Sequence, residues 1–406
     1  MEERYDAWEA LSPEAWARWA AARVEETVRR AWEATPAGRA AVEAAGGLEG
    51  RRWPEDLARL PLLRKEALPA LQADHPPFGG WTTVPLAALR RVFVSPGPIY
   101  DPQSHGPDAW GFARALYAAG FRRGDVVLNT FAYHLTPAGH MVDEGLEALG
   151  CVVVPGGGGQ SELQAQVAAR LGARGYVGTP SFLATLLAQP HRPPFRVALV
   201  SGEVLTEGLR RELGAQGVQV RQAYATADVG LIAYECEAAQ GLHLSPRVYV
   251  EVVDPHTGAP LPAGSAGEVV VTFLSETYPL LRLATGDLSL LEPAPCPCGR
   301  GSPRLRGVLG RVGEAVKVRG MFVHPNDVRR ALERLPEVAR LQLRVTREGH
   351  QDRLTARVEP AGAAVDPGRI AAVLREAVRL RVEVEVLPPR ALPADAPLVA
   401  DERRWE

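Results

Sequence analysis

The spacing of apolar residues changes along the chain, and each change marks a different kind of element. Residues 1–45 read as helices: Ser12 supplies an N-cap, Pro13 takes the first helical position, and Trp16, Trp19, Val24 and Val28 recur near helical spacing. That segment is expected to cover a larger core. A proline-rich stretch, 60–84, leads to a short strand at 91–94, followed by Ser95, Pro96, Gly97 and Pro98. Residues 110–119 return to a helical pattern, and 125–129 read as a buried strand. The runs 151–154, 176–178 and 197–200 are short, apolar and separated by helical patterns, the signature of βαβ units whose ligands gather at the carboxyl ends of the strands. Beyond Leu242 the texture turns β-rich, with 248–253 and 268–273 flanking the turn from Asp254 to Gly258. From Arg311 onward the pattern predicts strands at 315–318, 341–345, 354–359 and 382–386 with helices at 325–335 and 367–380. The expected fold is α/β: a large N-terminal domain, 1–310, of βαβ subdomains plus a β-rich segment, then a small α+β domain, 311–406.

Composition narrows the function classes. A chain of 406 residues is long enough for two or three domains. With 46% hydrophobic residues, 23% charged residues and a net charge of -2, it has no global field to attract nucleic acid or anionic lipid, so neither partner is expected. The N-terminus carries acidic residues and no long apolar run, which argues against a signal peptide or membrane anchor and for a cytoplasmic location. Four cysteines are too few for a disulfide scaffold of this length. Of the 46 basic residues only Lys65 and Lys317 are lysines.

Three groups of residues carry candidate chemistry. Ser201, Gly202 and Glu203 follow one apolar strand, and Tyr224 to Asp228 follow another at 218–220, so two polar turns should lie side by side and frame a nucleotide-sized crevice. Asp287, at the end of the run from Arg282, is expected in a tight turn where its carboxylate could accept both hydroxyls of a ribose. Each has an ordinary alternative: a plain turn, a core tyrosine, a turn cap. Cys236, His243, Cys296 and Cys298 offer three thiolates and an imidazole, a closed tetrahedral zinc set with Gly299 relieving the knuckle; the competing reading is buried free cysteine. No open coordination position is left for a catalytic metal.

Taken in order, these segments resemble the adenylate-forming superfamily, and in detail its phenylacetate-CoA ligase branch. Branch-specific support comes from Cys151 to Pro155 with Gly156 to Gly159 and Gln160, from Gly178 to Ser181, from Glu235 to Glu237 with Gly241 to His243, from Asp254 with Gly258 and Pro260 to Pro262, and from Cys296 to Arg300. The resemblance spans residues 90–400. It implies two-step chemistry in which an acid attacks ATP to give an acyl-adenylate, and CoA then displaces AMP. Ser201, Gly202 and Glu203 would line the adenine, Tyr224 would stack on it, Asp287 would hold the ribose and Asp228 would sit near Mg²⁺ and phosphate. Arg311 would contact ribose or phosphate at the domain junction, with the small domain mobile. The carboxylic acid would lie against Tyr133, Pro137, Ala138, Gly157 and Gly158, although Phe131, Tyr133 and His134 could equally be core residues. The resemblance also implies structural zinc on the Cys/His set and a homodimer.

Against this pattern stand several departures. Relatives have a Ser/Thr/Gly-rich phosphate loop ending in lysine after the strand at 91–94. Here the loop holds Pro96, Pro98 and Pro102, each deleting an N–H donor, and Asp101, a charge expected to repel phosphate. Pro397 stands where a C-terminal lysine is expected to neutralise charge during adenylation, a loss of about 3–4 kcal/mol of transition-state stabilisation. Ala225, Ala227 and Asp228 alter the tyrosine motif, and Gly313 occupies the usual hinge-acid position. Two rival functions follow: an acid-activating ligase of altered efficiency, or a catalytically degenerate paralogue that binds an aryl acid, an adenylate or an acyl-CoA. A structural partner protein with an empty pocket is a third reading.

Overall fold

Ser12 caps the helix Pro13–Ala34 by accepting the Ala15 amide, and the helix buries Trp16, Val24 and Val28, so the expected covering segment is present. Its approach is anchored by Glu9, which accepts from the Tyr234 hydroxyl at 2.9 Å and from Arg300 Nε at 2.7 Å. The computed structural model describes residues 4–95, 98–312, 316–318, 321–323, 325–348, 351–362, 365–393 and 395–403. Two units are distinguished, Met1–Gly307 and Val308–Glu406.

The first unit is built on an eight-stranded mixed sheet. Its parallel part runs in the order Val152–Pro155, Val126–Asn129, Gly175–Gly178, Val197–Val200 and Gln219–Thr226; the antiparallel part continues through Gly230–Glu235, Leu242–Leu244 and Arg304–Leu305. The inner strands Gly175–Gly178 and Val197–Val200 are buried on both faces and so read as continuous apolar runs, whereas the edge strand Val152–Pro155 is only half-buried. Chain order reverses between Val126–Asn129 and Gly175–Gly178, a topological switch point where the loops leaving adjacent strands part and leave a crevice. A second sheet of this unit carries Leu63–Arg64, Leu283–Ser289, Gly267–Phe273 and Val248–Val253 in that order, the last two forming the expected antiparallel pair.

Four local expectations change. The helix expected over 110–119 is Phe112–Ala118, because Gly111 sits at φ +81° and ends the helical run. The stretch after the strand Arg91–Ser95 is not a loop throughout: Ile99–Gln103 pairs back antiparallel on it, Phe93 opposite Asp101, while Pro96 and Gly97 lie outside the described residues. Tyr224 to Thr226 belong to a strand rather than a turn. Asp287 likewise lies within the strand Leu283–Ser289, where the register against Gly267–Phe273 slips between Glu268 and Val270, so that 285–287 form a bulge with Gly286 at φ +76°.

The second unit has a four-stranded sheet, Glu383–Val386, Gln351–Pro360, Val338–Glu348 and Val399–Asp401, with the helices Pro325–Glu333 and Pro367–Val378 contributing Val328, Ile370 and Leu374 to its core. Lys317 lies in the short strand Val316–Val318. The stretch containing Pro397 ends in the strand Val399–Asp401, parallel to Val338–Glu348. Gly313 and Ala315 lie outside the described residues.

Candidate active site

At the switch point, Asn129 ends its strand and organises both loops around it. Its side-chain amide donates to Gly139 O and to Asp143 Oδ1, both at 2.9 Å, while its backbone carbonyl accepts from Gly156 and Gly157 at 2.9 and 3.1 Å. Gln164 holds the glycine loop from the other side, donating to the carbonyls of Gly157 and Gly159 at 2.9 and 2.6 Å. Tyr133 donates to Asp143 at 2.6 Å, and its ring meets His140 edge-on at 5.4 Å. Burial first, and the Asp143 carboxylate second, push the Tyr133 phenol well above its usual range, so it remains a donor at any working pH. A side chain at Gly157 would reach within 3.9 Å of the Tyr133 ring, and one at Gly202 within 3.9 Å of Phe131 and 3.8 Å of Thr179. The expected acid-pocket residue Gly157 is thus near Tyr133, and the 201–203 turn is near Phe131, two residues earlier in the same loop. Pro137 is buried and Ala138 begins the helix Ala138–Leu149 beside it, while Gly158 is exposed and a Cβ there would meet open space.

The nucleotide candidates gather at the same sheet edge. Val200 pairs with Gln222, which sets the 201–203 turn level with Tyr224. Glu203 is exposed and accepts the Ser181 amide at 3.3 Å; Ser201 is half-buried. The Tyr224 hydroxyl donates to Asp287 Oδ2 at 2.8 Å and lies 3.2 Å from Thr285 Oγ1, which also accepts the Asp287 amide at 3.1 Å. Tyrosine and carboxylate, 63 residues apart in the chain, therefore form one unit. Asp228 is 1% exposed and its Oδ2 lies 2.6 Å from Lys65 Nζ. Lys65 follows the strand Leu63–Arg64, which runs parallel to Leu283–Ser289 with Arg64 beside Ala284, so the lysine is delivered next to the 285–287 bulge. Two short polar contacts, Tyr224 to Asp287 and Lys65 to Asp228, tie the end of the tyrosine strand to the edge of the second sheet. Arg311 lies in the second unit and is exposed.

The four thiolate and imidazole candidates also converge. Their donor atoms all lie within 4.8 Å of one another: Cys236 Sγ is 3.7 Å from Cys296 Sγ, and Cys298 Sγ is 3.3 Å from His243 Nε2. A tetrahedron with metal–sulfur bonds of ~2.3 Å has edges of about 3.8 Å, so the spacing fits zinc. His243 Nδ1 lies 2.9 Å from Ser302 Oγ, an outer partner that fixes which ring nitrogen faces the cluster.

No protein-family model matches the chain. It is 34% identical over 359 residues to a phenylacetate-coenzyme A ligase of Thermus thermophilus, covering 83% of this chain and 80% of that protein. A phenylacetate-coenzyme A ligase of Escherichia coli strain K12 is 30% identical over 360 residues with the same coverage. The chain belongs to the phenylacetate-CoA ligase family. Among solved structures, an open conformation of 2-hydroxyisobutyryl-CoA ligase in complex with 2-HIB-AMP and CoA matches with a TM-score of 0.84 and 25% identity over 97% of this chain and 93% of that one. Apo MatB from Rhodopseudomonas palustris, at 20% identity and a TM-score of 0.56, shares the fold.

The segment after the strand Arg91–Ser95 departs from the expectation. Asp101 was expected to present a negative charge to phosphate. Instead it is fully buried in the hairpin strand Ile99–Gln103, and neither carboxylate oxygen has a hydrogen-bond partner among the described residues. Burial, and then the charge of Asp228, push its carboxyl up to about 8, with Ser95 and Lys65 pulling weakly the other way. At neutral pH the group is mostly protonated, so it adds little repulsion. This sets a pH dependence. The folded-state pKa lies above the unfolded value, so stability is complete below about pH 4 as far as this group is concerned, and declines as pH rises towards about 8. Asp101→Asn should remove that decline. Unfolding free energies at pH 5 to 9 should show an advantage of the variant that grows with pH and levels off above about 8; a constant difference would contradict the assignment.

Lys65 was missed as a site residue by reading the sequence. The available signal was its rarity, as one of two lysines in an arginine-rich chain, but its partner lies 163 residues away.

Proposed function

We propose that this chain is an adenylate-forming acid–thiol ligase. The carboxylate oxygen of a small acid, aromatic or similar in size, attacks the α-phosphorus of ATP and pyrophosphate leaves; the CoA thiolate then attacks the carbonyl carbon of the acyl-adenylate and AMP leaves. The observation that carries this reading is the Tyr224–Asp287 hydrogen bond of 2.8 Å, which joins a ring able to stack on a base to a carboxylate able to accept ribose hydroxyls. Phenylacetate-coenzyme A ligases at 30–34% identity support it, as does the likeness to a ligase solved with 2-HIB-AMP and CoA.

In this reading Asp287 accepts the ribose hydroxyls while Tyr224 holds the carboxylate in place. Ser201, Gly202 and Glu203 border the adenine, and Tyr133, Pro137, Ala138, Gly157 and Gly158 border the acid. Asp228 lies on the phosphate side with Lys65 as the fixed cation beside it. Mg²⁺, when bound with ATP, supplies neutralisation of the phosphates. Cys236, His243, Cys296 and Cys298 hold a structural zinc. A cytoplasmic homodimer completes the reading.

The test is pyrophosphate release with a panel of aryl and short-chain acids. Asp287→Ala is expected to lower turnover by at least about 100-fold, the scale of removing one preorganised polar group from a site. Tyr224→Phe, which removes this hydrogen bond and keeps the carboxylate, should raise the KM for ATP by roughly tenfold with a smaller change in kcat. Tight binding of an acyl-adenylate or aryl acid without any pyrophosphate release would favour the degenerate, ligand-binding alternative.

A further inference from the structure

Away from this site, the first unit holds a cavity of about 510 Å³ between the N-terminal helix, the residues before Phe112–Ala118, and the Pro246–Arg247 turn. That volume suits a small organic ligand. Three arginines border it, Arg23, Arg114 and Arg247, with Asp108 as the one acidic residue in the lining. Arg23 pairs with Glu26 and Arg114 with Asp6. Asp108 is engaged in capping, accepting the amides of Phe112 and Ala113 at 2.7 and 3.0 Å.

Arg247 differs. Its Nε is buried with no hydrogen-bond partner, its guanidinium stands 5.8 Å from the centre of the Phe273 ring, and burial lowers its pKa. Arg114 is 7% exposed, and its Nε is also without a partner. The Arg247 side chain makes no hydrogen bond or ion pair among the described residues, and a guanidinium left so on a cavity wall favours an anion opposite it. The remaining wall is aromatic: Trp8 and Trp19 lie with ring centroids 4.6 Å apart and planes tilted 47° to each other, and Trp8 remains 39% exposed.

We infer that this cavity is a second small-molecule site, distinct from the ligase centre, which binds an aromatic carboxylate. The carboxylate meets the Arg247 and Arg114 guanidinium groups, whose forked donors match it in a bidentate manner, and the ring lies against Trp8 and Trp19. The inference stands on the cavity's own residues and does not depend on the proposed ligase activity.

The test is calorimetric titration of the full chain with benzoate and, separately, inorganic phosphate. One saturable benzoate event is expected that survives Tyr133→Ala, in the proposed acid pocket, and weakens at least tenfold in Arg247→Leu. Trp8→Ala, at an exposed position that should not compromise folding, is expected to weaken benzoate while leaving any phosphate binding unchanged. Melting curves, and the shift produced by AMP, check that the variants are folded. Absence of saturable benzoate binding to the wild-type chain, equal affinity in Arg247→Leu, or loss in Tyr133→Ala alone would overturn the site. Phosphate binding as tightly as benzoate would overturn its aromatic character.

Discussion

Lys65→Met should be among the most damaging single changes in the large unit, although the residue lies outside every recognised motif. Its ammonium is the ion-pair partner of Asp228 at 2.6 Å, the lysine side chain being 25% exposed and the aspartate 1%. Removing one member of such a pair leaves the other charge buried, which typically costs about 3–5 kcal/mol. Denaturant unfolding should therefore lose about that much stability, and pyrophosphate release should fall by at least about 100-fold. The same substitution made in an Asp228→Asn background should cost under about 1 kcal/mol, because the stranded charge has gone. An equal cost in both backgrounds would mean that the lysine acts through something other than Asp228.

The second large effect concerns the Cys/His cluster. Elemental analysis of protein purified without chelator should find one zinc per chain, and Cys296→Ser should lose it. The consequence extends beyond the cluster because Arg300, in the same loop, donates to Glu9 and Glu237 at 2.7 Å each and so ties the knuckle to the N-terminal segment. A loss of ~4 kcal/mol would lower the melting temperature of a unit this size by about 6 °C. A chelator that strips the metal without moving the transition would show that the four side chains need no ion for stability.

The parts of the site that could be read from residue order differ physically from those that could not. Asn129 and Gly178 end apolar runs, and strand ends in a βαβ fold are where ligands collect, so the loops at these strand ends were legible as candidates, whereas the acid's place among them came only from the family resemblance. At Gly178 the reason is steric: a Cβ would stand 1.9 Å from Thr130 Oγ1. Asp287 was recognised by the residues around it, but not its setting, because a bulge depends on the register of the neighbouring strand. The Lys65–Asp228 pair was invisible for a related reason, since neither residue's neighbours in sequence name the other.

Local sequence by itself determined the βαβ alternation, the Ser12 cap, and the residue types able to bind zinc or a nucleotide. These depend on backbone preference and side-chain chemistry, which each residue carries with it. Only the tertiary structure decided that Asp101 is dehydrated and largely neutral, that Tyr224 steadies Asp287, and that Arg247 lines a cavity without a side-chain partner among the described residues. The state of a charge depends on what covers it and what stands opposite, and here those neighbours come from distant segments of the chain.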